Sequence, residues 1–260
     1  MKTLRMLLLS IIITLLLTEA LLSVFDPYGL HFLIEAGQIQ RQTHARRGYV
    51  SKPGTYRFSS WVAMVNSSYE RVAPHASGEC VIVFLGDSVT FGRGVDDDET
   101  WTNLIAQALT VRAINTGVDG YNSANVRAVI EDYSPTLFVY LIIENDVEET
   151  RNFAAEVARR AAPYRAATAR YLIFFARRPQ ILAQERARFE ADMDSLAALP
   201  NILFVSFNRA FGRSLSRWGV RLIPPYTGQL SIADPHPNRE GHREIAASIT
   251  PLVRAACVGH

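Results

Sequence analysis

Val81-Ile-Val-Phe-Leu-Gly-Asp-Ser-Val-Thr-Phe-Gly92 is the stretch from which the fold can be read. Five apolar residues, most of them β-branched or aromatic, stop abruptly at Gly86-Asp87-Ser88. A short apolar run ending at glycine reads as a buried strand of a parallel sheet. Small and polar residues follow, then a helical pattern from about residue 98. Ser88 therefore falls just beyond the carboxyl end of a strand, where open α/β sheets place their ligands. A serine at that edge, flanked by glycines that let backbone approach a substrate, is a candidate nucleophile.

Working outward, strands are expected at about 81–86, 111–115, 136–143, 170–175 and 202–206. Helices are expected at about 98–109, 123–133, 149–162, 180–198 and 239–254. Strands alternating with helices imply βαβ units and a parallel sheet covered on both faces. Upstream, Lys2 and Arg5 precede Met6-Leu-Leu-Leu-Ser-Ile-Ile-Ile-Thr-Leu-Leu-Leu17, and apolar character returns over residues 20–25, with Glu19 as the interruption. Roughly 20 apolar residues span a bilayer. The basic residues before them favour an inside N-terminus. A single-pass anchor over residues 1–25 is the favoured reading, and a signal peptide cleaved near Thr18-Glu-Ala20 is the rival. Both carry the remainder out of the cytoplasm. Residues 26–79 read as a neck or cap with one or two strands between residues 54 and 66, and residues 80–260 as the main domain. Arg41, Arg46 and Arg47 read as scattered surface charge.

The 260 residues carry 27 Lys and Arg against 25 Asp and Glu, a net charge of only +2. With no basic arm and no zinc-finger spacing, a nucleic-acid partner is not expected. No cofactor or metal ion is expected either. Cys80 and Cys257 lie far apart, and two unrelated thiols are favoured over a pair.

Three further motifs fall at successive strand ends. Asn115-Thr-Gly-Val-Asp-Gly-Tyr121 puts Gly117 and Gly120 in a loop where a backbone N–H can approach a ligand. Tyr140-Leu-Ile-Ile-Glu-Asn-Asp146 offers the Asn145 amide, a neutral donor suited to an oxyanion, or a helix cap. Glu144, Asp146, Glu148 and Glu149 make an acidic cluster there, repelling anionic substrates or simply solvated. Asp234-Pro-His-Pro-Asn-Arg-Glu-Gly-His242 supplies a candidate base, His236, and a carboxylate to orient it, Asp234. His242, on the helix that follows, reads as a structural or surface histidine. Asp96-Asp-Asp-Glu99 reads as the acidic start of a helix rather than a cation site.

The order Ser88, Gly120, Asn145, Asp234-x-His236 resembles the SGNH (GDSL) hydrolase family over about residues 80–256. Three features differ from its common pattern: Ile143 stands where glycine often lies two residues before the asparagine, Val89 where leucine follows the serine, and Asp234 two residues before His236 where many members have three. The resemblance implies a three-layer α/β/α sandwich on a five-stranded parallel, flavodoxin-like sheet. It implies an esterase with Ser88 as nucleophile, His236 and Asp234 completing a triad, and Ser88, Gly120 and Asn145 forming the oxyanion hole. The anchored, exported arrangement points to a cell-envelope lipid or O-acylated glycan as substrate. Acyl transfer to an envelope polysaccharide is the alternative with shared chemistry. A non-catalytic envelope binding or scaffold protein is the alternative from another class.

Overall fold

The computed structural model describes residues 2–25, 39–58, 61–75, 78–143, 146, 166–209, 214–230 and 234–258. The chain divides into two compact units. One comprises Met1–Gln38 with Glu148–Arg186, the other Ile39–Val147 with Ala187–His260.

In the first unit, α1 (Lys2–Phe25) is a continuous 24-residue helix whose leucines and isoleucines are largely exposed. It is long and apolar enough to cross a membrane. The unit also holds the first part of a long helix, α5 (Ala167–Ala197). The strand expected at 170–175 lies within this helix. Tyr171-Leu-Ile-Phe-Phe175 has no alternation, and an unbroken apolar run fits either element. The helix expected at 149–162 lies outside the described residues.

The second unit is built on β5 (Val81–Leu85), β6 (Arg112–Asn115), β7 (Leu137–Leu141), β8 (Ile202–Ser206) and β9 (Arg221–Leu222). They form one five-stranded sheet in the order β6-β5-β7-β8-β9, every pair parallel. The fifth strand is thus β9, a two-residue edge held to Val205 and Ser206 and too short to leave a pattern in the sequence. Side chains alternate between two cores. Ile82, Phe84, Val139, Leu141 and Val205 pack under α3 (Trp101–Leu109) and α6 (Arg239–Val258). Val83, Leu85, Phe138, Tyr140 and Phe204 pack under α4 (Ser123–Ile130) and, at Phe189, Met193 and Leu196, the end of α5. The result is the expected α/β/α sandwich. The order reverses at β5, the crevice where such sheets bind ligands.

Two hairpins precede the sheet in the same unit: β1 (Arg41–His44) with β2 (Gly48–Ser51), and β3 (Gly54–Arg57) with β4 (Val62–Val65). The second falls where strands were expected, whereas the first was not foreseen. Arg47 corrects the reading of surface charge. It is buried and donates to Asp132 through Nε (2.9 Å) and Nη2 (2.6 Å), and Arg46 pairs with the same carboxylate. A buried guanidinium needs such a partner. The two cysteines are also corrected. Cys80 and Cys257 form a disulfide, Cα–Cα 6.2 Å, tying the residue before β5 to the end of α6. A sequence separation of 177 hides that proximity from any linear reading.

Candidate active site

The chain leaves β5 through Gly86, whose φ of +148° disfavours any side chain, and a Cβ there would lie 2.3 Å from Thr90 Oγ1. Asp87 then caps a single helical turn, α2 (Ser88–Phe91), accepting from the Val89 N–H at 2.9 Å. Gly92, at φ +83°, ends the turn. Ser88 is only 1% exposed. Its hydroxyl lies 2.7 Å from His236 Nε2 and 3.1 Å from Asp87 Oδ2.

His236 Nδ1 lies 2.5 Å from Asp234 Oδ1, and the His236 amide donates to the same oxygen at 3.2 Å. Burial by itself would raise the Asp234 carboxyl. The hydrogen bonds and charge of His236, with Arg93 beyond, hold it below the ordinary carboxylate range. An ionised Asp234 keeps the proton on Nδ1 and leaves Nε2 free to accept from Ser88. The structure thus brings Ser88, His236 and Asp234 into one line.

The Asp234–Asn238 loop is held by backbone. Leu230 N–H donates to the His236 carbonyl (2.9 Å), and Asn238 N–H to the Gly228 carbonyl (3.1 Å). Tyr226 Oη donates to the Pro235 carbonyl at 2.6 Å. Asn238 Oδ1 accepts from the Glu240 and Gly241 amides at the start of α6. Gly241 meets Gly228 so closely that a Cβ would lie 2.2 Å from its carbonyl oxygen. His242 is structural, as expected. It is fully buried, accepts from the Trp101 N–H, and burial pushes its pKa down to about 3.

The loop after β6 fits against the Ser88 turn. Asn115 donates to the Thr90 carbonyl (2.8 Å) and accepts from the Gly117 amide (3.0 Å). A Cβ at Gly117 would lie 2.3 Å from the Phe91 nitrogen, so only glycine allows this approach. Gly120 has φ +79°, the left-handed conformation that favours glycine. Asn145 and Glu144, Glu148 and Glu149 lie outside the described residues. Asp146 is no solvated charge. It is fully buried and accepts from Tyr140 Oη and the Ile143 amide, both at 2.8 Å. Burial, and then the charge of Asp87, push its carboxyl well above the ordinary range.

Arg71 is a site residue that sequence reasoning missed. It is 1% exposed, and all five of its N–H groups are used. Nε donates to Asp97 (2.7 Å), Nη1 to the carbonyls of Phe91 (2.9 Å) and Gly92 (2.5 Å), and Nη2 to those of Val62 (3.3 Å) and Val95 (2.6 Å). The guanidinium thus pins the exit of the Ser88 turn. Asp97 serves this pair, and Asp96 accepts from the Val62 amide (2.7 Å). Glu99 Oε2 accepts from the Asp96 amide at 3.4 Å, in the expected capping role. No motif links Arg71 to Ser88. A lone buried arginine shows only in three dimensions.

Against known proteins, the GDSL-like Lipase/Acylhydrolase family model matches residues 84–244. No curated protein matches the sequence. Among solved structures, a family two carbohydrate esterase from Cellvibrio japonicus is 17% identical, with 70% of this chain and 63% of that one covered and a TM-score of 0.42. A carbohydrate acetylesterase family member from Sinorhizobium meliloti is 15% identical, with 69% and 100% covered and a TM-score of 0.40. A member of the lipolytic protein G-D-S-L family from Veillonella parvula is 16% identical, with 67% and 98% covered and a TM-score of 0.36. This chain thus spans less than two thirds of the Cellvibrio protein. The family match runs from β5 into α6, well over half of the sequence, and by it the chain belongs to the GDSL-like lipase/acylhydrolases, enzymes of the esterase class.

Proposed function

We propose that the protein hydrolyses carboxylic esters through an acyl-enzyme on Ser88. The observation that carries this reading is the unbroken chain of contacts from Ser88 Oγ to His236 Nε2 (2.7 Å) and from His236 Nδ1 to Asp234 (2.5 Å). His236 takes the hydroxyl proton as Ser88 Oγ attacks the ester carbonyl. Asp234 stabilises the imidazolium that forms. The backbone N–H groups of Ser88 and Gly120 and the Asn145 side-chain amide receive the oxyanion. His236 returns its proton to the departing alcohol, then activates a water that releases the acid. Each residue type has a role in this sequence of steps, and no cofactor enters it.

The substrate proposed is an ester on an envelope lipid or O-acylated glycan. Support comes from α1, read as an anchor with the domain outside the cytoplasm, and from the disulfide, which persists in oxidising compartments. A sugar hydroxyl in place of water would turn the same steps into acyl transfer.

Ser88→Ala is expected to cut turnover of a p-nitrophenyl ester by roughly 10⁴-fold or more and to abolish labelling by a fluorophosphonate. Wild-type turnover by Ser88→Ala would refute the reading. A wild-type protein that resists both reagents would favour the non-catalytic alternative.

A further inference from the structure

Glu19 is an acid within an otherwise apolar span, an expensive residue there unless its oxygens are satisfied. In the first unit they are. The Ala167 amide donates to Oε1 at 2.6 Å, and the Thr168 amide and hydroxyl donate to Oε2 at 2.8 and 3.1 Å. These are the first amides of α5, so α1 caps α5 through one side chain.

That contact sets a depth. Seventeen residues of helix, about 26 Å, separate Lys2 from Glu19, against a hydrocarbon core of about 30 Å. With Lys2 and Arg5 at the inner surface, Glu19 lies near the outer boundary, and the start of α5 lies there with it. The next turns carry the apolar run Tyr171-Leu-Ile-Phe-Phe175, in which Tyr171 is buried at 4% exposure. A helix of that kind needs protein or lipid about it. Leu172 is nevertheless 67% exposed and Phe175 50% exposed. A helix lying in a bilayer surface sinks such a face about 5–10 Å into the boundary between headgroups and acyl chains. Arg170 precedes the run and Arg177 and Arg178 follow. From Arg151 to Arg188 the sequence has nine arginines and no lysine, the bias expected where planar guanidinium groups meet phosphates.

We propose that the exposed apolar face of this run, Leu172 and Phe175, is a second membrane contact, sunk into the outer interface beside α1 at a surface of anionic phospholipid. It rests on the reading of α1 as an anchor. The contact makes the protein two-point attached: one helix across the bilayer and one helix start lying in its surface.

The test uses the full chain, in which both native cysteines are engaged in the disulfide. Leu172→Cys, Phe175→Cys and Ile12→Cys are each labelled with an environment-sensitive fluorophore. They are reconstituted into vesicles of phosphatidylethanolamine and phosphatidylglycerol carrying shallow or deep nitroxide lipids. Labels at 172 and 175 are expected to emit blue-shifted from the dye in buffer and to be quenched mainly by the shallow nitroxide. The label at 12 is expected to be quenched mainly by the deep one. Phosphatidylcholine vesicles should lower quenching at 172 and 175 at least twofold and leave position 12 unchanged. Aqueous emission at 172 and 175 with quenching intact at 12 overturns the second contact alone. Aqueous emission at 12 overturns the anchor and the contact with it. Equal quenching at 172 and 175 in phosphatidylcholine overturns the anionic surface as the partner.

Discussion

The Ser88 turn and the Asp234–His236 loop meet at one hydrogen bond, yet the protein holds them by opposite means. The turn is buried and gripped by side chains from outside its own stretch: Arg71 on the carbonyls of Phe91, Gly92 and Val95, and Asn115 on that of Thr90. The loop lies nearer the surface, with the Asp234 side chain 36% exposed, and is held by main-chain bonds to residues 228 and 230 and by the Tyr226 hydroxyl. The Ser88 turn is fixed by the core, so damage there spreads into folding. The proposed base, His236, sits on a loop whose attachments are local, so damage there is expected to stay local.

Asp234→Asn puts this contrast to its hardest test. Turnover is expected to fall by roughly 10³–10⁴-fold, because the histidine loses the partner that fixes its tautomer. The melting temperature should barely move, and a large drop would break the comparison. Arg71→Met should do the reverse in emphasis. It leaves Asp97 buried without its counter-charge, a loss of about 3–5 kcal/mol in a denaturant titration. Turnover should fall as well once the exit of α2 is released. Normal stability in Arg71→Met would show that the turn is held from elsewhere. Asn238→Ala removes the cap of α6 and the brace on the loop, and about 1–2 kcal/mol of stability is expected to go with it.

The smallest effect is with pH. Asp234 titrates lower folded than unfolded, so its contribution to stability is present above the ordinary carboxylate value and is lost as pH falls through the lower folded value. The stability difference between wild type and Asp234→Asn should hold from pH 7 to about 4 and shrink below that. A difference that grows on acidification would contradict the geometry at His236.

Much of this was legible because motif and period agree. β5 and β7 read as buried strands, since both faces of a parallel sheet are covered and nearly every residue is apolar. Ser88, Gly120, Asp234 and His236 stood out because each sits where a strand or turn pattern ends. What escaped was long-range or short. Arg71 and Arg47 look like any surface arginine until their acceptors are seen. β9 has two residues and no period. Tyr171–Phe175 satisfies the template for a strand as well as for a helix, and only its continuation through residue 197 decides between them. The cysteines show no local spacing at all.

The Cys80–Cys257 bond has a mechanical consequence. It joins the residue that enters β5 to the penultimate residue of α6, so the sheet hangs from a covalent ring. Tension between the α1 end of the chain and anything attached beyond Cys257 would pass from sulfur to sulfur. The strand leading to Ser88 and the loop bearing His236 would carry none of that load, so a pull on the chain would leave the Ser88–His236 contact intact.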